Sequence, residues 1–243
     1  MPLFKSSPQK DAERNQLLQL TSSWLGDSNF YGPEQVHTFT MPAYDWTYEK
    51  ALVQLMRQFP EKQLFMHCCE YEPDNYWANQ EFVRPQATRE IVRIAKNVTA
   101  LYELGDFTEL MDPTVIHSQQ WWAVGSQLRV RMHPWADYCG HPMTARIAHL
   151  KKFVHPGNLI AVTFDCQWRI HPAIPPELIA KDVYRIGVNG RREVDTLARA
   201  KNTHAFVSKQ LRQANTTARV VTEINSGYKG HTVPMYSGAF SIK

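Results

Sequence analysis

The chain has 243 residues, 43% of them hydrophobic and 21% charged, with a formal net charge of +4. That balance excludes a disordered or collagen-like chain and leaves enough apolar material for a sizeable core. Four cysteines without a CxxC pair exclude a zinc ribbon or a disulfide framework, and no apolar run reaches the ~18 residues of a membrane span.

Residues 1–15 are polar and lack the apolar stretch of a signal peptide, so they read as a loosely held start of a cytoplasmic protein with free thiols and no membrane contact. Leu17, Leu18, Leu20 and Trp24 predict a short helix, and Gly26 to Gly32 a loop. A second helix is predicted from Asp45, which can cap it, through Ala51, Leu52, Leu55, Met56 and Phe59 to the stop at Pro60. Gln63 to Tyr71 reads as a buried strand. From Thr88 to Leu104, Ile91, Ile94, Ala95, Val98, Leu101 and Tyr102 predict an amphipathic helix ended by Gly105. Trp121 to Met132 reads as a strand bent at Gly125, and Met143 to Val154 as a helix. Leu159 to Ile170 is the strongest strand signal, long, alternating and β-branched. Helices follow near Glu177–Ile186 and Glu193–Leu211, then strands from Val220 to Ile242 broken at Gly227, Gly230 and Pro234. With no internal repeat and no linker, these elements predict one domain over residues 1–243, of α/β (α+β) class, with a mixed central sheet flanked by helices.

Several constellations invite a chemical reading. Cys139 lies in the turn-like WADYCGHPM beside His133 and His141, where a thiol can be an activated nucleophile or a structural group. His133, Cys139, His141, His149, His155 and His171 crowd one third of the chain, but without paired spacing they predict no metal site. Arg169, at the end of the strong strand, is placed either to grip a phosphate or to face water at a sheet edge. Residues 181–219 hold nine Lys/Arg against three acids, a phosphate-binding surface or a solvated helix face. Walker, GxGxxG, HExxH and GxSxG motifs are all absent.

The later segments, taken together, resemble the thymidylate synthase family, which includes phage deoxynucleotide hydroxymethylases. Glu193-Val194-Asp195 followed by Asn202-Thr203-His204-Ala205-Phe206 resembles that family's (D/N)-x-H-x-Y sugar-binding element. Gly227-Tyr228-x-x-His231 with the apolar tail Ala239 to Ile242 resembles its closing strand, and LIAVTFDCQWRIH its strand carrying a phosphate-gripping arginine. Trp24–Asn29 and Phe30-Tyr31-Gly32 resemble its WFLxGxTN and YG elements. The family's Pro-Cys is here Tyr138-Cys139, its Arg-Ser-x-Asp is Arg169-Ile170-His171-Pro172, and its tyrosine is Phe206.

The resemblance implies a one-carbon transferase acting at C5 of a pyrimidine deoxynucleoside monophosphate. Cys139 would be the nucleophile, and Arg169, His204, Phe206 and Tyr228 would bind the nucleotide. Methylenetetrahydrofolate would be the one-carbon donor, a homodimer the assembly, and Glu177, Asp182 or a tyrosine the proton carrier. Two other readings stand beside it. One is a non-enzymatic nucleic-acid-binding or virion assembly protein using residues 181–219, whose scarce aromatics predict weak nucleic-acid binding. The other is an oligomeric scaffold anchored by exposed Trp and Tyr.

Overall fold

A computed structural model describes residues 8–27, 34–41, 46–70, 73, 95–105, 107–110, 112–113, 129–138, 141–166, 172–179, 184–186, 190, 192–229 and 234–243. Helix α1 (Pro8–Gly26) leads to β1 (Glu34–Thr40), α2 (Thr47–Met56), β2 (Lys62–Glu70) and β3 (Val98–Leu104). Then come α3 (Phe107–Leu110), β4 (Arg129–Asp137), α4 (Thr144–Lys151), β5 (Leu159–Asp165) and α5 (Pro176–Ile179). The hairpin β6 (Tyr184–Ile186) and β7 (Arg192–Val194), helix α6 (Thr196–Ala214), β8 (Val220–Lys229) and β9 (Pro234–Ile242) complete the order.

The main sheet has seven strands in the order β3-β2-β1-β4-β5-β9-β8. The first five are mutually parallel, and β9 runs antiparallel to both β5 and β8. The expected single α/β domain with a mixed central sheet and flanking helices is therefore the observed architecture. Strand β5 lies inside the sheet, with Leu159 to Phe164 buried, as the run LIAVTF requires of a strand covered on both faces.

Alternation along the strands divides the core in two. One layer contains Phe39, Met132, Ala136, Ile160, Val162, Phe164 and Phe240 under α4 and α6. The other contains Val36, Leu64, Met66, Leu159 and Ala161 under α1 and α2. The buried stripe of α1 is Arg14, Leu17, Thr21, Trp24 and Leu25, whose spacing of three and four residues faces the sheet. Two of those positions are polar, which hides the first turns from an apolar periodicity; residues 8–15 belong to this helix.

A buried ionic cluster joins the N-terminal ends of three strands and α1. The Glu34 carboxylate accepts from the Lys62 ammonium and from Arg131 Nε. Arg131 also donates to the carbonyls of Trp24 (2.6 Å) and Leu25 (3.4 Å) at the end of α1, and its guanidinium lies 4.3 Å from the Trp24 ring. Trp24 Nε1 in turn donates to the Gly157 carbonyl at 2.7 Å.

Several sequence expectations need correction. Val98 to Leu104 is not the end of a helix but the edge strand β3, and residues 91–94 lie outside the described residues. Val98, Leu101 and Tyr102 fit a helical period, yet Val98, Ala100 and Tyr102 also fit a strand period, and the sheet selects the second. Leu101 is consequently 43% exposed. Of the strand expected from Trp121 to Met132, residues 121–128 lie outside the described residues; β4 (Arg129–Asp137) covers the rest and continues through Pro134. Proline is tolerated there because β4 pairs with β1 as far as Pro134 and with β5 from Trp135 onward. Residues 184–186, expected to be helical, form β6. Gly227 continues β8 instead of breaking it, whereas Pro234 does open β9.

Candidate ligand site at the topological switch point

From β1 the chain moves outward through β2 and β3, then returns to the other side of β1 for β4 and β5. The order reverses between β1 and β4, where helix cover changes from one face to the other. In open α/β sheets ligands bind at such a point, outside the carboxyl ends of the strands. Three apolar strands reach that edge with an acid as their final residue: Glu70 on β2, Asp137 on β4 and Asp165 on β5.

The partners of these carboxylates differ. Asp137 receives the Lys10 ammonium of α1 at 2.8 Å and the Thr163 hydroxyl at 2.6 Å. Burial alone would push its carboxyl up, but Lys10, the Thr163 hydrogen bond and the field of Arg14 hold it below the usual carboxylate value. Asp165 lies 3.6 Å from His141 Nδ1. The Glu70 carbonyl accepts from Gly105 N at 2.9 Å, which fixes the end of β2 against the segment leaving β3. After β1, residues 41–46 read MPAYDW, without a glycine. Trp46 precedes α2 with φ 55° and ψ 33°, a left-handed conformation rare for a bulky residue. Its ring is buried against Tyr102. Asp45, expected to cap this helix, lies outside the described residues.

Beneath the edge, His133 of β4 is fully buried. Its Nδ1 lies 2.9 Å from the Leu159 carbonyl, and its Nε2 3.0 Å from the Tyr48 hydroxyl and 3.3 Å from Thr21 Oγ1. The Thr21 hydroxyl donates to Leu17 O at 2.8 Å, so Nδ1–H donates to Leu159 and Nε2 accepts from Tyr48 in a neutral ring. Burial pushes the His133 pKa down to about 4, against a smaller raising effect of the Leu159 carbonyl. Burial likewise raises the Tyr48 hydroxyl above its ordinary range.

The residues expected from the sequence are distributed as follows. Cys139 and Arg169 lie outside the described residues, as does the Tyr228 side chain; the Tyr228 backbone pairs with Met235 between β8 and β9. His204 and Phe206 both stand on α6, where two residues of separation turn them about 200° apart. The Tyr236 hydroxyl lies 3.0 Å from His204 Nδ1, and the His204 ring stacks on Phe240. Burial, with Arg212 nearby, lowers the His204 pKa. Phe206 instead lines a groove between α4, α5 and α6. Cys68, Cys69 and Cys166 are buried free thiols. Burial, reinforced by Asp165 and opposed by Arg199, pushes the Cys166 thiol up to about 12, which leaves it unreactive near neutral pH. Among the described residues no group of three or more His, Cys, Asp or Glu could hold a metal ion.

No family model matches the sequence, and no curated protein matches it. Solved structures of similar shape do exist. One is the precorrin-6y C5,15-methyltransferase of Geobacter metallireducens GS-15, with TM-score 0.38 and 11% identity, covering 93% of this chain and 87% of that one. Another is the DszA carbon methyltransferase, with TM-score 0.48 and 8% identity, covering 98% of this chain and 55% of that one. A third is a geranyl diphosphate methyltransferase in complex with geranyl diphosphate and sinefungin, with TM-score 0.42 and 10% identity, covering 96% and 78%.

The thymidylate synthase resemblance is corrected by the sheet itself, an open one wound outward from a switch point between β1 and β4. Within the described residues the short sequence echoes fall on α1, β5, β7, α6, β8 and β9, which serve the packing of this different fold. The implied methylenetetrahydrofolate rested on that resemblance alone and falls with it. The Lys10–Asp137 pair and the acidic strand ends were not singled out from the sequence. QLFMHCCE and LIAVTFD are each apolar runs closed by an acid, but nothing local marks that their ends meet at one edge.

Proposed function

We propose that the chain is a one-carbon transferase that binds S-adenosylmethionine across the carboxyl ends of β1, β2 and β4. The observation that carries this reading is a switch-point edge whose strands end in Glu70, Asp137 and Asp165, beside a β1–α2 connection without glycine. A phosphate-bearing dinucleotide needs a glycine-rich turn so that backbone N–H groups can approach the phosphates. A nucleoside without phosphate needs no such turn, and a row of carboxylates suits a ligand that carries cations. Glu70, at the end of the strand next to β1, stands where an acidic residue binds the ribose hydroxyls in doubly wound folds. Asp137 already holds one ammonium, that of Lys10, and its carboxylate matches the amino group of a second. Bound there, S-adenosylmethionine supplies an electrophilic methyl group. The residues of the edge would orient the donor.

The reading is tested by thermal unfolding of the whole chain with S-adenosylhomocysteine, the stable demethylated form. Ligand at about one hundred times its Kd adds about 2.7 kcal/mol, a rise of roughly 5–10 °C for a domain of this size. Glu70→Ala is expected to abolish most of that rise. A rise with dUMP or ATP and none with S-adenosylhomocysteine would overturn it.

A further inference from the structure

Helices α4 and α6 pack side by side on one face of the sheet, far from the acidic strand ends in charge. Helix α4 (TARIAHLK) contains two Lys/Arg and α6 (TLARAKNTHAFVSKQLRQA) four, without one Asp or Glu in either. Arg199 is buried, donating to the Cys166 carbonyl at 3.1 Å, and Arg146 donates to the His141 carbonyl at 2.9 Å with its guanidinium over the Tyr138 ring. Lys201, Lys209 and Arg212 are exposed and Lys151 is half-buried. None of these four has an ion-pair partner among the described residues. Lys201, Lys209 and Arg212 lie within about 80° of arc on the outer side of α6 and span roughly 16 Å along it.

Between the two helices and α5 runs a groove of about 290 Å³. Its walls include Ile147, Lys151, Pro176, Phe206 and Gln210, and Glu177 is the acid at its rim. The half-buried Phe206 gives it an aromatic wall, and Gln210 a side chain able both to donate and to accept hydrogen bonds. The groove is small for a whole nucleotide cofactor. It has room for one ring, with Lys151 on its wall and with Lys209, Arg212 and Lys201 about 60°, 120° and 140° round α6 from Phe206.

We infer that the α4–α6 face binds single-stranded nucleic acid, with one base in the groove against Phe206 and the backbone phosphates on Lys151, Lys201, Lys209 and Arg212. The 16 Å line of cations matches roughly four or five stacked nucleotides at 3.4 Å each. A duplex offers charge to the cations but no free base face to the groove, so the single strand is the preferred form. This inference is independent of the switch-point site, which lies at the strand ends.

Fluorescence anisotropy of the full chain with a labelled oligodeoxythymidine 20-mer, and with a duplex of equal length, tests it. Three or four phosphate contacts predict that single-strand affinity falls roughly 20- to 50-fold between 50 and 200 mM salt. Reversing the three outer charges of α6 (Lys201→Glu, Lys209→Glu, Arg212→Glu) is expected to weaken binding at least about tenfold at low salt. Phe206→Leu, which keeps the packing role of the side chain, is expected to weaken the single strand about fivefold or more without changing the salt dependence. The melting-temperature response of the triple variant to S-adenosylhomocysteine should equal that of the parent, which separates failure here from failure at the switch point. Undiminished binding by the triple variant, equal affinity for duplex, no effect of Phe206→Leu, or equally effective competition by dextran sulfate would each overturn the inference.

Discussion

His133 makes the stability of this fold depend on pH in a defined direction. The ring is fully buried and neutral, donating to Leu159 and accepting from Tyr48, and its pKa falls from the ordinary 6.5 to about 4. In the unfolded chain the same imidazole takes up its proton near pH 6.5. Between these values the unfolded state binds more protons, so stability from this group is complete above about pH 6.5 and is lost as pH falls toward 4. Over the full interval the loss is about 3 kcal/mol, and from neutral pH down to pH 5 it is about 2 kcal/mol. The perturbation is His133→Gln, whose amide can serve both partners but does not titrate. Urea unfolding of both proteins at about pH 7.5 and pH 5 isolates the effect, because groups common to both cancel in the difference. The parent should be the more stable protein at the higher pH, with its advantage reduced by about 2 kcal/mol at the lower. An advantage constant to within about 0.5 kcal/mol would show that His133 titrates normally in the fold and would refute the buried, neutral network.

Two further outcomes follow from packing. Glu34→Ala leaves Lys62 and Arg131 buried without their shared carboxylate and should cost about 3–5 kcal/mol in denaturant unfolding; a loss below about 1 kcal/mol would mean that water reaches the cluster. At Gly238 an added methyl would collide with the Tyr236 hydroxyl, so Gly238→Ala should displace Tyr236 from His204 and cost about 1–3 kcal/mol, whereas an unchanged melting temperature would contradict that close approach.

The contrast between β5 and β3 explains how much of the fold is legible in the sequence. LIAVTF is β-branched, continuous and covered on both faces, so local preference and tertiary environment agree. VTALYEL carries both periods at once, and only its pairing with β2 decides between them. Helix α6 was legible in its body but not in its start: it was expected from Glu193, yet Arg192–Val194 pair as β7 and the helix begins after Asp195, which caps it by accepting from Leu197 N and Ala198 N at 3.1 and 3.0 Å. The edge carrying Glu70, Asp137 and Asp165 was not. Those acids are 28 to 95 positions apart in the sequence, and only the strand order brings their ends to one side. The thymidylate synthase echoes misled for the opposite reason, being short local strings. His204 and Phe206 fit a motif in the sequence, yet α6 directs one toward Tyr236 and the other into the α4–α6 groove.

In the proposed function the carboxyl edge at β1, β2 and β4 receives S-adenosylmethionine. Its most direct test is ultraviolet cross-linking of the full chain to S-adenosylmethionine carrying a radiolabelled methyl group, followed by peptide mapping. Label is expected in peptides that contain the ends of β1, β2 or β4, around residues 40–46, 69–72 and 137–143, competed away by unlabelled S-adenosylhomocysteine. Label confined to α6 or to the hairpin of β6 and β7, or label that unlabelled S-adenosylhomocysteine leaves in place, would contradict it.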